Sequence, residues 1–300
     1  MSSSANVLVG TAGWSYPDWN GIVYPSQPRR GFDPLAYLAD FVDVVEINNS
    51  FYRPPSADSA KAWLVSVADR PRFTFTAKLY RGFTHRPPGD WGIEDAVVFR
   101  EGLLPLIRAG KLAAVLAQFP FFFDARREHL EHMRAIFDAF AEFPLVVELR
   151  HRSFDRPDIL ERLHARGISW CTIDQPHSST SIAFDARATG PIGYVRLHGR
   201  NSAAWFSKSA TRDAKYDYLY APDELATFVP VIHDLVARTR QTIVIANNHF
   251  QGKAPANALE LKAALEGSKV RVPECLVDAY PRLRDIASSA AAPTDDGAPL

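Results

Sequence analysis

The sequence predicts a single α/β domain folded as a (β/α)8 TIM-like barrel with a parallel eight-stranded core. Three observations carry this. Eight short apolar segments recur along the 300 residues, at 6–12, 44–49, 72–78, 113–119, 145–150, 168–174, 192–198 and 242–248. Helix-like patterns occupy the intervals between them. Charged or amide side chains sit at the carboxyl ends of the last seven segments. A parallel strand buried on both faces reads as a nearly continuous apolar run. Polar groups confined to one end mark the rim on which a barrel builds its active site.

Taken in order, residues 6–12 (NVLVGTA) form the first strand and run into Gly13. Asp33-Pro34 reads as an N-cap followed by proline at the first helical position, ahead of LAYLADF. Later helices are expected over 57–69, 94–108, 125–140, 157–166, 222–240 and 256–265. Gly110 and Gly167 follow two of them directly before strands, where a left-handed cap is expected. The reading is strand then helix, eight times, and right-handed crossovers close such a chain into a barrel. One domain should span residues 1–287, with a C-terminal extension from about 268. The segment 288–300 (SSAAAPTDDGAPL) is small and polar and is expected to be disordered. Three strand-to-helix loops, 13–31, 80–92 and 199–221, exceed ordinary connection lengths. They hold Trp14, Tyr16, Trp19, Tyr24, Trp91, Trp205, Phe206, Tyr216, Tyr218 and Tyr220. Such rings either stack on a ligand at the rim or pack into small cores of their own.

Composition narrows the classes of function. Lys plus Arg (34) equals Asp plus Glu (34), so no global field draws the chain to nucleic acid or an anionic membrane. Cys171 and Cys275 have no metal or disulfide spacing, and Cys171 reads as a buried small hydrophobe. No apolar run is long enough to span a bilayer. The opening MSSSANVLVG has no signal-peptide pattern, so a cytoplasmic location is expected.

Strand alternation sorts the rim residues. It turns Glu46, Asn48, Lys78, Gln118, Glu148, Arg150, Asp174, Tyr194, Arg196, His198 and Asn248 into the barrel. Burying so many charges costs several kcal/mol per ion unless each is paired. Apolar residues would fill a barrel at less cost, so the set reads as a ligand or active site. Glu46, Glu148, Asp174 and His198 are the catalytic candidates, with Glu148 a general base held ionised by its neighbour Arg150. Trp14, Asn48, Lys78, His85, Gln118, Arg150, Arg196 and Asn248 are the substrate-binding candidates, the arginines offering planar forks to a phosphate or carboxylate. A divalent metal at Glu148, Asp174 and His198 is the alternative. Arg150 and Arg196 would repel it, so no metal and no cofactor is expected. Gly10 to Gly13 (GTAG) lacks the spacing of a dinucleotide fingerprint.

The same residues lie in motifs that run in order along the chain: GTAGWSYPDWNGIVYP at 10–25, VEINNSFYRP at 45–54, FTFTAK at 73–78 with Thr84-His85, and AQFP at 117–120. ELRHRSF at 148–154, IDQP at 173–176, YVRLHG at 194–199 and NNHFQGKAPANA at 247–258 complete the set. In these the chain resembles the YecE-like family, known as domain of unknown function 72. The resemblance implies a TIM-like barrel and no particular reaction. It adds Phe51, Tyr52, His151, Asn247 and Gly252 to the residues of interest, with Tyr52 a further candidate for substrate binding. Phe154 stands where the family commonly has tryptophan, and Thr11-Ala12 replaces a Gly-Ser pair. The function expected is acid/base chemistry on a small anionic or sugar-like metabolite, by a hydrolase, lyase or isomerase rather than an oxidoreductase. One alternative is a metal-dependent phosphoesterase or nuclease, with Arg29, Arg30, Arg81, Arg86, Arg200 and Lys208 following a nucleic-acid backbone. Another is a non-catalytic ligand-binding protein. A membrane is not an expected partner, and nucleic acid is not the favoured one.

Overall fold

A computed structural model describes residues 6–87, 89–207 and 209–288. Its eight strands close in sequence order into a parallel barrel. They are β1 (Val7–Ala12), β2 (Val44–Ile47), β3 (Thr74–Lys78), β4 (Leu112–Gln118), β5 (Leu145–Glu148), β6 (Ser169–Asp174), β7 (Ile192–Leu197) and β8 (Gln241–Ala246). All eight fall within a residue or two of the apolar segments. The register brings Ala12 opposite Glu46, Glu46 opposite Thr76 and Gln118 opposite Glu148, so the polar strand ends form one rim.

The main helices are α1 (Pro34–Leu38), α2 (Ala57–Ser66), α4 (Ile93–Arg108), α5 (Arg127–Ala139), α6 (Pro157–Ala165), α9 (Pro222–Arg238) and α10 (Lys253–Glu266). Short helices α3 (Arg81–Thr84), α7 (Ser202–Trp205) and α8 (Arg212–Lys215) lie in rim loops, and α11 (Glu274–Ala279) lies in the C-terminal extension. The Asp33 carboxylate accepts from the backbone N–H of Leu35 (2.8 Å), so the expected N-cap of α1 is in place. Gly110 and Gly167 adopt the left-handed conformation, φ 63° and 65°. Helix α10 begins earlier than expected and takes Pro255 into its first turn. That turn has no intrahelical acceptors for its N–H groups, so the proline loses no hydrogen bond there.

One expectation fails. No helix joins β6 to β7. The segment 175–191 (QPHSSTSIAFDARATGP) is rich in Ser, Thr and Pro and has no 3.6-residue apolar period. It covers the outer face of β6 as irregular chain. Thr172 Oγ1 donates to the Asp185 carbonyl (2.9 Å) and Thr189 Oγ1 to that of Ile168 (2.8 Å). Arg187 pairs with Asp155 (2.7 Å) while its guanidinium lies over the Trp170 ring, 5.5 Å from the centroid.

The C-terminal extension closes on itself where Val270 bridges Ala287, and Arg282 ties it to Glu260 of α10 (2.8 Å). Of the tail expected to be disordered, Ser288 donates its N–H to the Val270 carbonyl (2.8 Å), and residues 289–300 lie outside the described residues. Among the described residues no helix is long and apolar enough to cross a membrane.

Candidate active site

The carboxyl ends of β2, β3, β4, β5 and β7 converge on one buried cluster. At its centre is Arg196, an arginine with no exposed surface. Its Nη2 donates to Glu46 Oε1 at 2.8 Å and its Nη1 to Glu148 Oε2 at 2.5 Å. Arg150 grips the other oxygen of Glu148 from above, through Nε at 2.8 Å and Nη2 at 2.5 Å. Tyr194 donates its hydroxyl proton to Glu46 Oε2 (2.9 Å) and lies 2.9 Å from Thr76 Oγ1, which therefore donates to it. Gln118 Oε1 reaches Arg196 Nη1 at 3.5 Å. Two glutamates thus neutralise two arginines, and both carboxylates are fully buried.

Burial pushes the Glu148 carboxyl upward, but the Arg196 and Arg150 guanidiniums outweigh it and hold the group well below the usual carboxylate range. A carboxylate so stabilised is a poor proton acceptor near neutral pH. Its position suits charge pairing better than the general-base role expected of it.

His198 sits beside this floor with no exposed surface. Asn247 Nδ2 lies 2.9 Å from its Nδ1, and Glu148 Oε1 lies 3.5 Å from its Nε2. An amide N–H donating to Nδ1 leaves the ring proton on Nε2, facing the carboxylate. Burial lowers its pKa to about 3, so the ring is neutral. Above it the β7–α9 loop folds over. Trp205 lies 5.8 Å from the His198 ring and Tyr216 6.4 Å, with the two aromatic rings edge to face. Arg150 also faces Trp205, 5.7 Å from the centroid. The tight turn that starts this loop needs Gly199, at φ 88°, where a Cβ would come 2.7 Å from Tyr218.

The exception to this pairing is Lys78, at the end of β3. It is 8% exposed, and among the described residues no carboxylate pairs with it. Its Nζ rests 4.2 Å from the centroid of the Phe51 ring. Burial and the adjacent Arg196 lower its pKa to about 7. Lys78 lines a cleft of about 250 Å³ at the barrel mouth, together with Trp14, Tyr16, Asn48, Tyr52, Asn247 and His249. Arg212 and Tyr216 border the same cleft. Tyr16 stacks on His249, centroids 4.4 Å apart, and accepts from Asn48 Nδ2 at 3.3 Å. His249 is buried, its Nδ1 has no hydrogen-bond partner among the described residues, and burial lowers its pKa to about 4. His85, edge-on to Phe51 at 5.0 Å, is lowered to about 4 by burial and the charges of Lys78 and Arg150.

Two candidates do not join this arrangement. Asp174 was expected to face inward. Cys171 shares its environment with Glu46, Glu148 and Arg196, so Cys171 and Ile173 take the inner face of β6 and Asp174 the outer one. Its carboxylate receives Arg200 Nη2 at 2.7 Å and the Tyr220 hydroxyl at 2.6 Å, in a network that extends to Glu224. Asp174 therefore does not join Glu148 and His198, and no set of three metal-ligating side chains converges among the described residues. Asn248 was also expected inside. It points to α10, donating to Asn257 Oδ1 and the Tyr218 carbonyl, both at 2.8 Å, while Asn247 faces the barrel. The error has one source: Ile243 and Ile245 fill the barrel, which makes 247 the inward position.

Sequence reasoning did not place Tyr16, Tyr216, His249 and Arg212 among the site candidates. Tyr16 and Tyr216 were visible only as members of aromatic loops, and nothing in periodicity orients a loop side chain. Lys208, named among the rim cations, lies outside the described residues.

Known proteins share this architecture. The profile described as "Protein of unknown function DUF72" matches residues 8–280. The UPF0759 protein YunF of Bacillus subtilis is 27% identical over 273 residues, covering 87% of this chain and 95% of its own length. A crystal structure of a DUF72 family protein from Thermotoga maritima superimposes with a TM-score of 0.75 at 33% identity, over 87% of this chain and 99% of that one. One from Enterococcus faecalis gives 0.76 at 25% identity, over 86% and 95%. A single parallel barrel matched by the family over residues 8–280, the chain belongs to the DUF72 family.

Proposed function

We propose that the protein is an enzyme that holds a small anionic or sugar-like metabolite in the mouth cleft and acts on it by acid/base chemistry. Lys78 is the proton-moving group. The observation that carries this reading is a buried lysine with no carboxylate partner among the described residues, lining the cleft beside a cluster of paired charges. An amine with a pKa of about 7 exists in both forms at neutral pH, as a general acid or base requires. Asn48, Asn247 and Tyr16 supply hydrogen bonds for hydroxyl or oxo groups, and Arg212 adds a second cation at the entrance. The cleft volume suits a small metabolite rather than a polymer. Glu148, first expected to move the proton, holds the arginines in place, and His198 orients against it. The chemistry proposed uses no metal and no redox cofactor.

Thermal-shift measurements test the reading. Phosphate, sulfate and sugar phosphates should raise the melting temperature, more at pH 6 than at pH 8, because Lys78 is charged only below about 7. Lys78→Met should abolish the anion effect. Stabilisation by nothing in the panel, or stabilisation that Lys78→Met leaves unchanged, would overturn it.

A further inference from the structure

We propose that Lys78 is a nucleophile that forms an imine with a ligand carbonyl, so that the substrate class is a small aldehyde or ketone bearing an anionic or hydroxyl group. This rests on the reading of Lys78 as the reactive group of the mouth cleft and goes beyond it by naming the bond formed.

The geometry carries the inference. A lysine that only anchors an anion is best kept charged, and a carboxylate partner keeps it so. Lys78 is placed otherwise: Glu46 and Glu148 spend both their charges on arginines. The Phe51 ring lies 4.2 Å from Nζ, and Lys78 lines the cleft. The groups whose charges act on it are Arg196 on β7, Glu46 on β2, and Glu148 and Arg150 at the end of β5, while His85 after α3 faces it as a neutral ring. Burial is the main cause that disfavours the charged amine, Arg196 acts in the same direction, and Glu46 and Glu148 oppose them without restoring the usual pKa. A desolvated amine beside other cations is the arrangement that activates lysine toward carbonyl carbon.

The step balances without an external oxidant or reductant. The Nζ lone pair attacks the carbonyl carbon, a C–N bond forms, and the π electrons move to oxygen. The oxygen gains the two protons that the amine gives up, the C–O bond breaks, and one water leaves. The product is the imine, and hydration reverses it. Asn48 and Asn247, which line the same cleft, are placed to hold polar substituents of the bound carbonyl compound.

Reductive trapping on the full-length protein tests this. Dihydroxyacetone phosphate and glyceraldehyde are incubated with the protein and sodium cyanoborohydride, and the adducts are located by peptide mass mapping. Lys78 should be modified about tenfold faster than the surface residues Lys61 and Lys269, and the fast adduct should vanish in Lys78→Arg, which keeps the charge but forms no imine. Reductive methylation with formaldehyde gives a second measurement that needs no ligand: modification of Lys78 should be half-maximal near pH 7, the midpoint of its titration. Adducts confined to surface lysines, with the methylation midpoint near that of ordinary lysines, overturn the imine. A phosphate that raises the melting temperature through Lys78 while no carbonyl probe is trapped there also overturns the imine but leaves the acid/base reading standing. Failure of both binding and trapping removes both.

Discussion

The floor of the barrel and its mouth hold the same kinds of side chain in opposite conditions. On the floor, Glu46, Glu148, Arg150 and Arg196 form a closed set in which every charge has an opposite one within hydrogen-bond distance. At the mouth, a few ångströms along the strands, Lys78 has an aromatic ring and two neutral histidines for company. The first condition makes structure from charge; the second leaves a charge that is easily removed. Burial alone therefore does not mark a functional residue. What separates the two regions is whether each ion finds its partner.

Substitutions sharpen that comparison. Arg196→Leu should have the largest effect, since it leaves buried Glu46 without a cation and Glu148 with Arg150 alone. Breaking a buried pair costs about 3–5 kcal/mol. Urea unfolding reads the loss, and a variant as stable as the wild type would show that the floor is not a closed ion-pair set. Glu148→Gln tests the same point less severely, because an amide keeps part of the hydrogen bonding to Arg150; its loss should be about 3 kcal/mol.

Asp174→Asn should cost less, roughly 1–2 kcal/mol, because Arg200 is one-third exposed and water screens the pair. Ligand affinity at the mouth should not change. A large loss of affinity without loss of stability would return Asp174 to the active site.

Lys78→Met should have the smallest effect on stability and the opposite sign, a gain of about 1 kcal/mol at pH 6. The sign follows from linkage. Lys78 titrates at about 7 in the folded protein and at 10.5 when unperturbed, so between those values the unfolded chain binds more protons. Stability from this group therefore rises with pH across that window, and below it the full cost of a buried ammonium is present. The advantage of the methionine variant should shrink between pH 7 and 10.5, as denaturant midpoints at several pH values would show. A destabilised variant would reveal a partner for the ammonium.

Much of this was legible in the sequence, for a physical reason. Strand alternation and buried apolar runs are local, so segments such as 145–150 place Glu148 without knowledge of the rest of the fold. The inward direction of Glu46, Lys78, Arg196 and His198 followed from the same pattern. It failed at Asp174 and Asn248, where a strand ends. There the inner and outer choices are both polar, and tertiary partners on α9 and α10 decide. The absent β6–β7 helix was legible too, in the Ser/Thr-rich composition of 175–191, but the regularity of the other units obscured it. The unpaired state of Lys78 was not legible at all. It depends on how two glutamates divide among three cations, and no spacing encodes that division.

The irregular β6–β7 connection also sets where the barrel can breathe. Six crossovers, and α10 after β8, cover the strands with helical segments, whereas the outer face of β6 is covered by chain held through a few side chain-to-carbonyl bonds and the Arg187–Asp155 pair. A segment with so few cooperative contacts opens at lower free energy than a helix. Asp174 stands at the top of this seam and, through Arg200 and Tyr220, ties β6 to the loop leaving β7. Asp174 then works as a stitch: it confines local opening to the flank of the barrel and keeps that opening away from the rim where the ligand would bind.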